Sequence, residues 1–247
     1  MSKLLMHVSS CRKACGEHVV LWLKSVFYHS ARLCFRWFVL PRLGFRVYGR
    51  EHLKAALKAK GPFMVVSNHQ SYLDPFLISA HFPVGKLIHW WAMEDLYNPR
   101  VLFEEYVAHK PRLFGSKTLG KAFAWALALS VAMVVKFTPT IMVNPNPNEG
   151  AKVVNREAVR SAKKIFAEGG GQGIFPQGGI EKTKGREFTS LFASLARSSG
   201  AVIVPVCLNV KEKTTSFRPA MKIDRSDERS ARELADIVAR NIYEGTE

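Results

Sequence analysis

His69 and Asp74 stand five residues apart in the stretch VVSNHQSYLDPF, directly after an apolar run. That pairing is the minimum for general-base chemistry. An imidazole exchanges a proton near neutral pH. A carboxylate bonded to one ring nitrogen fixes the tautomer and stabilises the imidazolium that forms. Such a pair activates a hydroxyl held beside it. The same letters also have a plainer reading. Asp before Pro75 is a common helix start, with the carboxylate at the N-cap and the proline at the first helical position. The two readings are compatible, because one carboxylate oxygen can accept the helix amide while the other faces the imidazole.

For His69 to act, the chain before it must end where a ligand can reach. The run PFMVVS is short and apolar and reads as a buried strand. In open α/β sheets, ligands sit beyond the carboxyl ends of the strands. Further strands are expected in FRVYG, KLIHWWAM, PTIMV, QGIF and AVIVPVCL. Pro205 inside the last predicts an edge or irregular strand. Helices are expected in EHLKAALKAK, in PFLISAHF, in REAVRSAKKIFAE capped by Asn155, in SLFASLARSS capped by Thr189 and closed by Gly200, and in ERSARELADIVARNIY starting at Ser226 or Asp227. The alternation predicts an α/β fold, with a mostly parallel central sheet flanked by helices.

The 247-residue chain carries 36 Lys and Arg against 20 Asp and Glu, a formal +16. Residues 1–60 hold 12 of those cations against Glu17 and Glu51 alone, which is +10 of the total. A basic front end predicts an anionic partner. In the apolar stretch 17–40, Lys24, Tyr28, Arg32 and Arg36 recur every four residues and form one helical stripe. Three cations make a central membrane span costly, so a helix lying in the headgroup layer is expected, with a core helix bearing a solvated basic edge as the alternative. Its cations would face the headgroups and Trp22, Phe27, Phe35 and Trp37 the lipid. The chain therefore divides into an N-terminal amphipathic, membrane-associating helical segment, 1–44, and an α/β domain, 45–247. Residues 118–137 are more apolar still, and are expected to dip into a membrane or to lie in the core.

Aromatics are concentrated in the N-terminal helix rather than interleaved with cations along a sheet, so no nucleic-acid partner is expected. Cys11, Cys15, Cys34 and Cys207 form neither a disulfide framework nor a zinc pattern, which fits a reducing compartment. The N-terminus shows no apolar core followed by a small-residue cleavage site, so no signal peptide is expected. No dinucleotide turn, phosphate loop or metal spacing appears, and no cofactor or metal is predicted. The absence of G-x-S-x-G argues against a serine hydrolase of that type.

Three blocks in order resemble the glycerolipid acyltransferases, the family of 1-acylglycerol-3-phosphate acyltransferase. SNHQSYLDP matches that family's NHxSxxD at Asn68, His69, Ser71 and Asp74. IFPQGG, Ile174 to Gly179, resembles its FPEGTR, and VIVPVCL, Val202 to Leu208, resembles its IVPV block. The resemblance implies an O-acyltransferase, with His69 as general base and Asp74 orienting it. The donor would be acyl-CoA or acyl carrier protein. The acceptor would be a lysophospholipid, taken up at an anionic membrane surface on the cytoplasmic face. It also places Asn68, Ser71, Gln177, Gly178, Gly179, Lys182 and Lys184 around bound substrate, with Ser71 serving the loop's own hydrogen bonds. The Gly178 and Gly179 amides are candidates for holding an oxyanion or phosphate.

The resemblance is incomplete. Gln177 replaces the family's Glu, and Ile180 its Arg. Asn144 and Pro145 in MVNP stand where its arginine-bearing second block falls. An amide cannot replace a guanidinium fork on a phosphate, although Lys182, Lys184 and Arg186 follow closely. An acceptor other than lysophosphatidic acid is therefore expected. The rival reading is a catalytically silent, membrane-bound family member.

Overall fold

Phe63–Ser67 forms a strand, β2, in which every residue is buried. Its sequence lacks polar alternation because both of its faces are covered. The computed structural model describes residues 25–59, 61–109, 118–144, 149–178 and 188–244. In the resulting sheet β2 is flanked by β5 (Gly171–Ile174) and β6 (Val202–Asn209), both parallel to it. Beyond β5 lie β3 (Ile88–Met93) and β4 (Thr140–Val143), also parallel. Beyond β6 lie β7 (Thr214–Phe217), antiparallel to it, and then β1 (Arg46–Tyr48), parallel to β7. The order is β1-β7-β6-β2-β5-β3-β4, with the short β8 (Met221–Lys222) pairing β6. Strands β7 and β8 carry too little apolar sequence to be read without their partner.

Pro205 lies inside the sheet, not at its edge. Its carbonyl accepts Arg218 N–H at 2.9 Å, so the side on which its own N–H is missing faces β7 and β8. There β7 pairs only Val206–Asn209 and β8 only Val202 and Ile203. The proline fills the gap between two ladders, where no donor is required.

Helices cover both faces. Helix α6 (Glu149–Ala167), α7 (Leu191–Ser199) and α8 (Ala231–Glu244) bury Ala158, Ala162, Phe192, Leu234 and Val238 against Met64, Val66 and Ile203. On the opposite face α2 (Arg50–Lys58), α3 (Asp74–Ser79) and the end of α1 (residues 25–43) meet Val65, Trp90, Val204 and Val206. A Cβ on Gly173 would stand 2.5 Å from the Trp90 ring, so glycine in β5 is what lets the indole approach.

Several expected caps move. Asn155 lies inside α6, and its amide bonds the Asn144 backbone instead. The N-cap of α7 is Ser190, not Thr189. Helix α8 starts after Ser230, whose hydroxyl accepts Glu233 N–H while the Glu233 carboxylate accepts Ser230 N–H. This reciprocal capping box outcompetes Ser226 and Asp227.

The N-terminal helix is turned differently from the expectation. Tyr28 and Arg32 are 1% and 4% exposed and face the protein, not headgroups. Burial pushes the Tyr28 phenol up, and pulls the Arg32 guanidinium down. The outer face carries Val26, Leu33, Trp37 and Phe38, with Arg36 over the Trp37 ring and Arg42 over the Phe38 ring. Residues Phe35–Val39 form a π-helical turn. Trp22, Lys24 and residues 1–24 as a whole lie outside the described residues. Helix α5 (Thr118–Phe137) packs Ala124, Ala128 and Ala132 on Leu102 of α4 (Pro99–His109). Trp125, Leu129 and Met133 stay exposed, with one face of the Trp125 ring stacked on Phe103 of α4. It is therefore not a core helix. Among the described residues, Gly120–Phe137 is the one stretch long and apolar enough to cross a membrane, with mean hydropathy 1.5 and 20% of it buried.

Candidate active site

The loop that leaves β2 is held from four sides. Asn68, buried, reaches across to β6. Its Nδ2 donates to Leu208 O at 2.9 Å and its Oδ1 accepts Leu208 N–H at 2.7 Å. Gln70 Oε1 accepts Val210 N–H at 2.8 Å. Gln177 Oε1 accepts His69 N–H at 2.7 Å, which fixes the amide's orientation, and its Nε2 donates to the Tyr243 hydroxyl at 2.6 Å. Asn68 and Gln177, expected as substrate contacts, thus spend these groups on the loop that carries His69. Both are 4% exposed or less.

The fourth hold is Asp74. It is fully buried and occupies the first position of α3, behind an N-cap at Leu73. The expected division of labour between its two oxygens does not occur. Oδ2 alone accepts three hydrogen bonds, from His69 Nδ1–H at 3.0 Å, Gln70 N–H at 2.6 Å and Ser71 N–H at 2.8 Å. Oδ1 is buried without a hydrogen-bond partner. The carboxylate caps the loop's amides, not the helix. Three donors on one oxygen offset the cost of a buried charge. A carboxylate 3.0 Å from Nδ1 requires the proton there, which leaves Nε2 with the lone pair. Ser71 Oγ accepts Leu73 N–H at 3.2 Å, a bond within the loop.

The imidazole face lies on the Phe175 ring, 4.3 Å between centroids and 20° from parallel. Two cavities meet at this ring pair, and both are lined by His69, Phe175, Trp91, Ala92 and Leu96. One, of about 250 Å³, runs between α1 and α5 along Phe35, Phe76, Val131 and Val135. It is almost wholly apolar. The other, of about 300 Å³, opens beyond β4 and β5 along Asn144, Asn155, Pro176, Gly178 and Thr189. Asn144 is braced there, its Nδ2 donating to Glu94 at 3.2 Å. Gly178 adopts a left-handed backbone, φ 67°, and its N–H turns back to Phe175 O at 3.3 Å. Gly179, Lys182, Lys184 and Arg186 lie outside the described residues, as does Pro145.

Sequence reasoning missed Phe175, Trp91 and Tyr243. Phe175 stands in the quoted block IFPQGG, and its ring next to a glycine turn was the available signal. Tyr243 is distant in sequence and gave none. Among the described residues, no group of three or more His, Cys, Asp and Glu is placed to hold a metal ion.

A family model described as Acyltransferase matches residues 44–209, more than half of the chain. Among solved structures, the 1-acyl-sn-glycerophosphate (LPA) acyltransferase PlsC from Thermotoga maritima has a similar fold. The TM-score is 0.54 and the identity 15%, over 90% of this chain and 79% of that one. Among curated proteins, none matches this sequence.

Proposed function

Since this chain belongs to the acyltransferase family, we propose that it moves a fatty acyl group from a thioester, on coenzyme A or acyl carrier protein, to a hydroxyl of a lysophospholipid or related glycerolipid. His69 Nε2 takes the hydroxyl proton as the oxygen attacks the thioester carbonyl. The C–O bond forms, the C–S bond breaks, and the imidazolium returns its proton to the leaving thiolate. Asp74 holds the tautomer and balances the imidazolium. No covalent enzyme intermediate is needed. General-base help of this kind contributes about 10²–10⁴-fold, with alignment and oxyanion stabilisation supplying the remainder.

The observation that carries this reading is the His69–Asp74 pair at 3.0 Å, set where two cavities meet. The one between α1 and α5 suits an acyl chain, and the other, also mostly apolar but with Asn144, Asn155 and Thr189 on its wall, is proposed to take the acceptor. Gly178, Gly179, Lys182 and Lys184 are the residues proposed to face substrate, with Asn68, Ser71 and Gln177 holding the loop. The exposed side chains Trp37, Phe38, Trp125, Leu129 and Met133 would rest on an anionic membrane surface at the cytoplasmic face, bringing the acceptor to His69 from lipid.

Asn144, which lines the second cavity, and Pro145 after it stand where the family's second block has Asp and Arg, so an acceptor other than lysophosphatidic acid is proposed. A panel of lysolipid acceptors, each with the same acyl-CoA in mixed micelles, tests this. Several acceptors should be used better than lysophosphatidic acid. A strong preference for lysophosphatidic acid would refute the altered acceptor and leave acyl transfer standing.

A further inference from the structure

The His69 imidazole is supported at its edge by Asp74 and on its face by Phe175, and both supports lead back to Ser79. The Phe175 ring stacks on Trp90, 5.0 Å between centroids and 12° from parallel. The indole is fixed in turn, because Trp90 Nε1–H donates to the buried Ser79 Oγ at 3.0 Å. The same oxygen accepts the Tyr28 hydroxyl at 3.1 Å. Tyr28 belongs to α1, so one continuous line of contacts joins the N-terminal helix to the face of the imidazole.

The second line runs through the backbone. Arg32, also on α1, spreads its guanidinium over carbonyls at the far end of α3. It donates to Ser79 O at 2.9 Å, Phe82 O at 2.6 Å, Pro83 O at 3.1 Å and Lys86 O at 2.8 Å. Helix α3 has six residues and begins with Asp74 itself. A single short helix gripped at its last residue has little freedom at its first. Burying a guanidinium against carbonyls and a phenol against a serine is costly unless every donor finds an acceptor. Apolar packing would dock the helix without that demand. What the polar contacts add is a fixed orientation of α3 and of the Trp90 ring.

We propose that Tyr28 and Arg32 are positioning residues for the catalytic imidazole, acting through Ser79, Trp90 and Phe175 on its face and through α3 and Asp74 on its edge. This rests on the general-base reading of His69. It makes the seat of the N-terminal helix a determinant of the reaction rate, and because Tyr28 also lines the cavity proposed for the acyl chain, an unchanged KM for the donor is what separates positioning from substrate grip.

Tyr28→Phe removes only the hydroxyl and leaves the ring in place. In the full-length enzyme it should lower kcat by about 3- to 10-fold, the cost of a sub-ångström displacement of the base, with KM for donor and acceptor unchanged. Ser79→Ala should do the same, and the double variant should be no worse than Ser79→Ala alone, because the two changes break one line. A second readout needs no turnover. The His69 ring-proton NMR resonance, identified by its loss in His69→Gln, sits in the ring current of Phe175 and should move in Tyr28→Phe. An unmoved resonance would overturn the proposal. So would a kcat loss shared by the exposed control Val26→Ala, which would report general loosening of α1. If His69→Gln abolishes turnover and Tyr28→Phe leaves resonance and kcat untouched, the general-base reading survives and only the positioning role fails. If the wild type transfers no acyl group at all, the base reading fails and the resonance still decides the positioning role.

Discussion

Replacing Asp74 by asparagine separates charge from geometry. All three hydrogen bonds end on Oδ2, and two of the donors are the backbone amides of Gln70 and Ser71, which cannot turn into acceptors. An asparagine must therefore present its carbonyl oxygen where Oδ2 now stands. That oxygen still accepts from His69 Nδ1–H, so the loop and the tautomer are kept. Only the negative charge that balances the imidazolium is lost. Hydrogen bonds to charged groups contribute roughly 1.5–3 kcal/mol, and each 1.36 kcal/mol in the barrier is tenfold. The expected fall in kcat is on the order of 10- to 10²-fold. A triad whose tautomer flips loses about 10⁴-fold. The amide nitrogen would occupy the site of Oδ1, which has no partner. That costs about 1–3 kcal/mol of stability, or a few degrees of Tm. The assay is thiol release from acyl-CoA under saturating acceptor, with a melting curve on the same preparation. A 10⁴-fold loss in a folded variant would show that the amide had turned its nitrogen to the imidazole, and would refute the single-oxygen argument. An unchanged rate would refute any role for the charge.

Gln177→Leu leaves His69 N–H without its acceptor and should cost about 1–3 kcal/mol, with a loss of kcat, read by melting and turnover together. Gln177→Glu keeps an acceptor for both His69 N–H and the Tyr243 hydroxyl, and its kcat should stay within about threefold of wild type. His81 is half-buried near Arg50 and Arg36, with its Nε2 unpartnered, and burial together with those cations depresses it to about 4. The unfolded chain then binds a proton the folded one refuses as pH falls from about 6.5 towards 4, so acid destabilises the fold. Melting wild type and His81→Phe at pH 7.5 and pH 5 should show the wild type losing about 2 kcal/mol more than the variant over that interval. Parallel losses in the two proteins would contradict this.

Strands β2 and β6 were legible because they are buried on both faces, and so read as short apolar runs bounded by turn residues. The sequence TTSF of β7 offers no such run. Its Thr215 is buried inside a sheet that pairs it with β6 on one side and β1 on the other. The stripe of Tyr28 and Arg32 was visible as a period of four, but periodicity alone does not say which way a stripe points. Arg32 turns inward because α3 ends in carbonyls that need donors. The spacing of His69 and Asp74 allowed their pairing, and the NHxSxxD resemblance pointed to it. Neither shows the convergence on one oxygen, since it depends on how the loop folds its amides. Gln177 read as a departure from a motif. In three dimensions it bridges the His69 amide and a tyrosine from the last helix, a contact spanning 66 residues that no local pattern encodes.

The most direct test of the account is thiol release from acyl-CoA by wild type and His69→Ala, with and without a lysolipid acceptor. Thiol should appear from the wild type only when acceptor is present, in step with diacyl product, and should fall by about 10²–10⁴-fold in a folded His69→Ala. A burst of thiol without acceptor, with the acyl group left on the protein, would contradict direct attack by the activated hydroxyl. Equal rates in the two proteins, or no transfer by either, would contradict His69 as the base and favour a silent, lipid-adhering member of the family.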